Sequence, residues 1–265
     1  MSEEVALSIL DRSPLLRLIF YPHEDLFPPL SAPSIANYLL EVEEGIRIGC
    51  RFYKSSPQDP SLLYFHGNGE TVGDHDGIAP LYNQRGINLF VVDYRGYGSS
   101  GGTPTFSNMI HDAHTISKVF GKIIEREGYH KTLFVMGRSL GCMPAINLAF
   151  HYQDSIHGLI VESGWANNFR RLWGYLKPSE IEAISDEKVT FLSKLKMQSI
   201  CIPTLIIHGE RDTLVPLQEA EELYQNSGAE DKSILIIPNA DHNNLIILGQ
   251  DQYFQTIETF VKAHS

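Results

Sequence analysis

The sequence predicts an α/β fold in which a mostly parallel, eight-stranded sheet carries helices on both faces. Short apolar runs rich in Ile, Leu and Val alternate along the chain with longer stretches of helical spacing. Polar, turn-forming residues follow most of the apolar runs. A chain of 265 residues that is 43% hydrophobic is large enough to bury the core of one α/β domain.

The strands are assigned from apolar runs that turn residues bound. Residues 36–43 and 46–53 are predicted to form an antiparallel pair. The other strands are predicted at residues 61–65, 88–92, 133–136, 159–161, 204–207 and 233–237. Helices are predicted at residues 79–84, 108–127 and 217–224, directly after residue 141, and at 252–263. Because ligands bind at the carboxyl ends of parallel strands, the polar residues that follow the strands are the functional candidates.

We predict one domain over residues 1–265, with two additions to the sheet. Residues 1–35 are predicted to wrap the domain surface, and the apolar residues 15–20 within them to pack on it. Residues 165–199 interrupt the strand pattern and are predicted to form a short helical cap. This stretch carries aromatic residues that either line an apolar pocket or anchor the cap to the sheet: Trp165, Phe169, Trp173, Tyr175 and Phe191.

The charge and the cysteine content restrict the partners that we expect. With 21 Lys and Arg against 32 Asp and Glu, the formal net charge is −11, which disfavours nucleic acid and anionic membrane surfaces. No apolar run approaches the roughly 18 residues of a spanning helix, so no stable membrane insertion is expected. Three scattered cysteines and an acidic start without a positively charged leader favour reduced thiols in a cytoplasmic protein. The sequence gives no indication of the oligomeric state.

The stretch at residues 133–145 has the most informative pattern in the chain. An apolar run leads into Gly-Arg-Ser-Leu-Gly at residues 137–141, and an apolar, Ala-containing segment follows. A Gly-x-Ser-x-Gly pattern between a strand and a helix is typical of a nucleophile elbow, a sharp turn that presents a serine. Gly137 and Gly141 relieve the crowding around Ser139, which lies where a helix N-terminus stabilises a developing negative charge.

A serine nucleophile needs a base that takes its proton and a carboxylate that orients the base. With this elbow the chain order is Ser, then Asp or Glu, then His. Asp212 follows one predicted strand and His242 follows the next, so both lie at the same sheet edge as Ser139. We rank Asp212 first as the acid and Glu162, after the strand that follows the elbow, second. Asp241 is the sequence neighbour of His242, and neighbours rarely point at each other's side chains.

Acyl transfer also requires hydrogen-bond donors for the oxyanion of the intermediate. One predicted donor is the backbone N–H of Leu140, directly after the serine. The other is predicted in the loop His-Gly-Asn-Gly at residues 66–69, whose glycines let the backbone approach the substrate. The N–H of Asn68 is the first candidate in this loop and the N–H of Gly69 is the second. His66 is interpreted as a structural histidine within the loop.

Other clusters of polar residues are interpreted as solvated. Asp-His-Asp at residues 74–76 and His-Asp-Ala-His at residues 111–114 do not make a complete ligand set, so no metal site is predicted. The histidines of the second cluster are expected to be solvated on an exposed helix. Arg138, Arg170 and Arg171 could meet an anionic substrate group, but we expect them to be solvated. No Gly-x-Gly-x-x-Gly opens a helix after a strand, so no nucleotide site is predicted.

Five stretches resemble the α/β-hydrolase superfamily, at residues 66–69, 93–99, 137–141, 208–212 and 241–242. His-Gly-Asn and Asp-Tyr-x-Gly-Tyr-Gly narrow the resemblance to the Bem46-like and serine-depalmitoylase-like branch. The resemblance implies the α/β-hydrolase fold and a serine hydrolase of carboxylic esters or thioesters that needs no cofactor. Asp93, Arg95, Gly96 and Gly98 belong to the same pattern, and we interpret them as a tight turn with a buried ion pair or hydrogen-bond network.

The leading functional hypothesis is a carboxylesterase or thioesterase that acts on a small-molecule acyl substrate. The first alternative is a peptidase or amidase, because the same triad serves both reactions. A peptide terminus would need an anchor, for which the cap offers Glu180, Glu182 and Asp186. The second alternative is a non-catalytic binding or scaffold protein on the same fold, and the intact Ser, Asp and His argue against it.

Overall fold

The structure, a computed structural model, describes residues 2–25, 30–167, 174–184 and 192–265. One sheet contains the strands β1 (Ile35–Glu43), β2 (Ile46–Tyr53), β3 (Ser61–Phe65), β4 (Asn88–Val92), β5 (Leu133–Arg138), β6 (Gly158–Glu162), β7 (Thr204–Gly209) and β8 (Lys232–Ile237). Their order across the sheet is β1-β2-β4-β3-β5-β6-β7-β8. Strand β2 runs antiparallel to β1 and β4, and the other neighbouring pairs are parallel. The predicted eight-stranded, mostly parallel sheet is confirmed.

The described helices are α1 (Glu3–Arg12), α2 (Leu15–Ile19), α3 (Ala79–Asn83), α4 (Phe106–Arg126), α5 (Cys142–His151), α6 (Pro178–Ile184), α7 (Leu192–Met197), α8 (Leu217–Asn226) and α9 (Leu245–Ala263). They pack on both faces of the sheet because successive residues of a strand point to opposite sides. In β5, Leu133 and Val135 join a core with α4 and α5. Phe134 and Met136 join a second core with α3 and α9 on the other face.

The N-terminal segment contains two helices that the sequence analysis does not predict. Helix α1 buries an apolar stripe in the core, and α2 buries Leu15 and Ile19. Glu3 on α1 forms an ion pair with Lys196 on α7. Because Ser13 and Pro14 separate two short helices, neither has the long apolar periodicity on which helix prediction depends. These helices join the helical layer that covers one face of the sheet.

The last helix starts earlier than the sequence predicts. Its apolar spacing predicts a start at residue 252, whereas α9 begins at Leu245, shortly after the loop that carries His242. Gly249 interrupts the helix with φ and ψ angles of −133° and 32°. Before the kink Leu245 is buried but Ile247 and Leu248 are exposed, so an apolar spacing typical of a buried helix face is regular only after it.

The predicted cap lies only partly within the described residues. Helices α6 and α7 belong to it, whereas Phe169, Trp173 and Phe191 lie outside the described residues. The ring of Tyr175 is exposed. None of the described helices is both long enough and apolar enough to cross a membrane. The division into a core domain, a wrapping segment and a cap stays a prediction.

Candidate active site

The chain turns sharply between β5 and α5, with a serine at the corner. A 3₁₀ turn, Ser139–Gly141, joins the strand to the helix. Ser139 has a φ of 51°, in the left-handed region that few non-glycine residues adopt. A Cβ on Gly141 would collide with the carbonyl oxygen of Phe65 and lie 2.7 Å from that of His66. The close approach of the turn to the end of β3 therefore requires glycine at this position.

Gly141→Ala is expected to lower the free energy of unfolding by about 3 kcal/mol, because the methyl group would overlap a fixed backbone. Gly121→Ala is the matched control. Gly121 lies inside α4, and a Cβ placed there would have no atom within 4 Å. This variant is expected to gain roughly 0.5–1 kcal/mol from better helix propensity. Urea unfolding measures both values, and equal stabilities would contradict the steric argument.

Ser139, His242 and Asp212 form a hydrogen-bonded chain in the predicted order. The distance from His242 Nδ1 to Asp212 Oδ2 is 2.7 Å, and the distance from His242 Nε2 to Ser139 Oγ is 3.0 Å. An ionised carboxylate only accepts hydrogen bonds, so Nδ1 carries the proton of the neutral imidazole. Nε2 is then free to accept the hydroxyl proton of Ser139. All three residues are buried, which strengthens these hydrogen bonds because little water competes for them.

The Asp212 carboxylate is fully buried and is held by hydrogen bonds from the backbone. Its Oδ1 accepts hydrogen bonds from the backbone N–H groups of Leu214 at 2.9 Å and Val215 at 2.7 Å. These bonds leave Oδ2 facing His242. His208 Nε2 lies 3.5 Å from the same Oδ2 but donates to the carbonyl oxygen of Val215 at 2.8 Å. Desolvation lowers the pKa of His208, so this ring adds no competing positive charge to the triad.

The two other candidate acids have different partners. Asp241 is exposed, and its carboxylate accepts hydrogen bonds from two N–H groups of its own loop at 2.8 Å. Glu162 is buried, and its Oε2 accepts the hydroxyl of Tyr253 at 2.6 Å. Burial raises the pKa of Glu162. Within the described part of the chain, neither carboxylate is hydrogen-bonded to His242, so the geometry favours Asp212 as its partner.

Asn68 and Leu140, the two predicted oxyanion donors, line the same cavity as Ser139. The side chain of Asn68 is held from two sides, since its Oδ1 accepts the Tyr97 hydroxyl at 2.8 Å and the Tyr21 backbone N–H at 3.2 Å. The backbone N–H of Asn68 has no hydrogen-bond acceptor among the residues that the structure describes. This amide is therefore available to a ligand. Tyr97 therefore supports the predicted oxyanion loop, which the Asp-Tyr-Arg-Gly-Tyr-Gly pattern around it did not predict.

A cavity of about 390 Å³ opens at Ser139 and is lined mainly by apolar groups. The lining residues are Leu18, Ile19, Tyr21, Asn68, Ser139, Leu140, Trp165, Tyr175 and Leu214. Trp165 thus lies at the pocket as predicted, whereas the predicted Phe169 and Trp173 lie outside the described residues. Leu18 and Ile19 form an aliphatic wall of the cavity that was not predicted. They belong to a five-residue helix far from Ser139 in the sequence, and no local pattern shows that this helix packs against the site.

His66 and Asp93 are hydrogen-bonded behind the predicted oxyanion loop, whereas Arg95 of the same turn pairs with Asp112 on α4, away from that loop. His66 Nε2 lies 3.2 Å from Oδ1 of Asp93, which also accepts the backbone N–H of Val72 at 2.8 Å. Arg95 forms a two-point ion pair with Asp112, with both distances at 2.8 Å. These contacts agree with the structural roles that the sequence analysis gives to the residues of this turn.

Three residues that the sequence analysis expects to be solvated are not. His114 is half-buried and hydrogen-bonded to the Tyr152 hydroxyl and to Asn147 Oδ1, each at 2.8 Å. His75 is buried, and the Arg138 side chain is only 14% exposed. Helical or loop patterns show which residues are polar but not which neighbouring element covers them. Among the described residues, no group of His, Cys, Asp and Glu is arranged to hold a metal ion.

A mostly parallel sheet of this order, with helices on both faces and a serine on a strand–turn–helix corner, defines the class of α/β hydrolases. The chain belongs to the family described as Hydrolase_4: Serine aminopeptidase, S33, which matches residues 56–174 and 191–246. These two stretches make up more than half of the chain. They include the three residues of the predicted triad and both predicted oxyanion donors.

Comparisons with known proteins place the chain in the predicted branch. The lysophosphatidylserine lipase ABHD12 of Danio rerio is 32% identical over 75% of this chain, which spans only 60% of that protein. The protein bem46 of Schizosaccharomyces pombe is 32% identical over 78% of this chain and 69% of its own length. The solved esterase Pf2001 of Pyrococcus furiosus has a TM-score of 0.73 at 19% identity, covering 92% of this chain and 98% of that one. The Bem46-like resemblance and the α/β-hydrolase fold are confirmed.

Proposed function

We propose that this protein is a serine hydrolase that cleaves carboxylic esters or thioesters through an acyl-enzyme on Ser139. The proposal depends on one observation, the hydrogen-bonded chain from Asp212 through His242 to Ser139 at an apolar cavity. As Ser139 Oγ attacks the acyl carbonyl, its proton moves to His242 Nε2. The protonated imidazole then gives this proton to the departing alkoxide or thiolate. His242 next deprotonates a water molecule, whose oxygen attacks the acyl carbon. The bond from the acyl carbon to Ser139 Oγ then breaks as His242 returns the proton to Oγ, which releases the acid and restores Ser139.

In this mechanism the backbone N–H groups of Leu140 and Asn68 stabilise the oxyanion of each tetrahedral intermediate. Both residues line the cavity at Ser139, and the hydrogen bonds to the Asn68 side chain hold its loop in place. A donor that is fixed before the reaction contributes about 3 kcal/mol to transition-state stabilisation, because it need not reorient as charge develops. The Ser139 turn also directly precedes α5, and the dipole at a helix N-terminus favours negative charge.

The lining of the cavity favours an uncharged acyl group. Its described lining residues carry no ionisable acid or base other than tyrosine, and the wall from Leu18 and Ile19 is aliphatic. An apolar wall is suited to a hydrocarbon chain, and a charged group would lose its hydration there without compensation. A larger cavity of about 530 Å³ lies between α4 and the loop before β6, but it contains none of the triad residues.

The family description names a serine aminopeptidase, so cleavage of amides is the second candidate function. An aminopeptidase needs a carboxylate that binds the ammonium group of the substrate. Glu180 on α6 instead accepts the backbone N–H of Lys177 at 2.7 Å and does not line the cavity. Asp186 lies outside the described residues. Of the three similar proteins cited above, one is named a lipase and one an esterase, which also supports ester substrates over peptides.

A substrate panel tests this proposal. The panel contains p-nitrophenyl esters of increasing acyl length, the matching thioesters, and aminoacyl p-nitroanilides. We expect kcat/KM to be higher for the esters and thioesters than for the anilides, and to rise with acyl length until the cavity is filled. Faster cleavage of the anilides would favour the peptidase. No turnover and no labelling by a fluorophosphonate probe, with a folded protein confirmed by circular dichroism, would favour the scaffold.

A further inference from the structure

Arg138 directly precedes the proposed nucleophile, and its largely buried guanidinium contacts the loop that carries the proposed base. Its Nη2 donates hydrogen bonds to the carbonyl oxygen of His242 at 2.8 Å and to Oδ1 of Asn243 at 3.0 Å. Its Nε lies 3.3 Å from Oε1 of Glu162, at the end of the neighbouring strand β6. The end of the nucleophile strand is thus connected directly to the backbone of His242.

The same guanidinium reaches the oxyanion loop through Glu70. Arg138 Nη1 forms an ion pair with Oε1 of Glu70, and Oε2 of Glu70 accepts the backbone N–H of Gly67 at 2.9 Å. Gly67 immediately precedes Asn68. A Cβ on Gly67 would collide with Arg138 Nη1 and lie 2.9 Å from Glu70 Oε1. The glycine therefore makes room for the ion pair, which is a different reason from the substrate approach that the sequence predicts.

An ion pair of this kind is expected to contribute more to the placement of the surrounding loops than to the free energy of unfolding. Desolvation offsets most of the attraction within a buried ion pair, so a well-packed apolar replacement is often equally stable. A planar guanidinium with its fixed N–H donors can hold several groups at set distances, which a single ammonium cannot do. In this protein one guanidinium spans the nucleophile turn, the oxyanion loop and the histidine loop.

We infer that Arg138 and Glu70 are positioning residues that set the relative placement of Ser139, Asn68 and His242. The inference rests on the proposed function, because it takes these three residues as nucleophile, oxyanion donor and base. Neither positioning residue lines the cavity, so neither is expected to touch the substrate. A displacement of catalytic groups by about 1 Å lowers turnover about 10²-fold while ground-state binding persists.

The test compares two pairs of variants that break equivalent ion pairs. Arg138→Met and Glu70→Gln break the proposed positioning pair. Glu70 uses one oxygen for Arg138 and the other for Gly67, and in a glutamine one of these two positions is an N–H₂ group that faces a donor. Arg95→Met and Asp112→Asn are the controls, because their side chains are 10% and 6% exposed and their ion pair lies outside the site. We expect kcat for the preferred ester to fall about 10²-fold in the first pair with little change in KM. In the control pair we expect both constants to stay near the wild-type values, whatever the change in Tm.

A second readout does not depend on turnover. We expect the Nδ1 proton that His242 donates to Asp212 to give a low-field resonance in the proton NMR spectrum. We expect the Arg95→Met variant to keep this resonance and the Arg138→Met variant to shift or lose it. Arg138→Lys retains the positive charge but not the planar set of N–H donors. Its kcat and its resonance should therefore lie between those of the wild type and Arg138→Met.

The outcomes separate this inference from the proposed function. If Arg138→Met, Arg138→Lys and Glu70→Gln have the kcat and the resonance of the control variants, the positioning role is overturned. If the wild type hydrolyses no ester or thioester but the resonance changes only in the Arg138 and Glu70 variants, the proposed function fails and the positioning role stands. If Arg138→Met does not fold, the other two variants decide by the same criteria.

Discussion

Ser139→Ala is expected to lower kcat for ester hydrolysis by about 10⁶-fold and to abolish labelling by a fluorophosphonate probe. The hydroxyl oxygen is the atom that would form the acyl-enzyme, and among the described residues no other hydroxyl is hydrogen-bonded to His242 Nε2. The variant loses one hydroxyl group at the edge of a cavity, so its Tm should remain close to that of the wild type. Steady-state kinetics, probe labelling and thermal unfolding measure the three effects.

Ser163→Ala is the matched control for this experiment. Ser163 also follows a strand, is also buried and has the same φ of 51°, but its hydroxyl has no hydrogen-bond partner among the described residues. We expect this variant to keep both turnover and labelling. Labelling of Ser139→Ala at the wild-type rate would show that another residue is the nucleophile. Loss of turnover in Ser163→Ala, with turnover retained in Ser139→Ala, would identify Ser163 as the nucleophile instead.

Asp212→Asn is expected to lower kcat by about 10⁴-fold without unfolding the protein. The amide oxygen can still accept the N–H groups of Leu214 and Val215, which then turns the amide N–H₂ toward His242 Nδ1. An imidazole that accepts at Nδ1 must carry its proton on Nε2. That tautomer cannot accept the proton of Ser139. The measurement is kcat for the preferred ester, together with the low-field imidazole resonance, which should disappear.

Asp241→Asn separates the partner of His242 in space from its neighbour in sequence. The Asp241 carboxylate is exposed and stabilises only its own loop, and an asparagine oxygen keeps one of its two hydrogen bonds. We expect kcat to change by no more than about twofold. If Asp241→Asn lost activity and Asp212→Asn kept it, the assignment of the acid would be reversed.

The strand predictions are confirmed where the local pattern was strong. The nucleophile turn is a short-range feature: glycines at residues 137 and 141, an apolar run before them and a helix after them are enough to define it. The placement of Asp212 and His242 needed one further assumption, that parallel strands bring their carboxyl ends to one edge. The structure meets that assumption, since β5, β7 and β8 run parallel in one sheet.

Contacts between segments that are far apart in the chain were not predicted from the sequence. Arg138 was expected in solvent, yet three separate segments surround it, and no local pattern records which loops meet. The wall from Leu18 and Ile19 was missed for the same reason, because α2 reaches the site only after packing on the core. The early start of α9 was missed because its first turn exposes Ile247 and Leu248 and a non-helical Gly249 follows them.

The sequence alone determined the fold class and identified Ser139, Asp212 and His242 as the candidate triad, each in the segment that follows a predicted strand. These features depend on the periodicity of strands and helices and on short turn motifs, both of which are local properties. The tertiary structure decided which acid faces His242, which side chains line the cavity and how Arg138 joins three loops. Those features depend on distances between residues far apart in the chain, and only the packed core sets such distances.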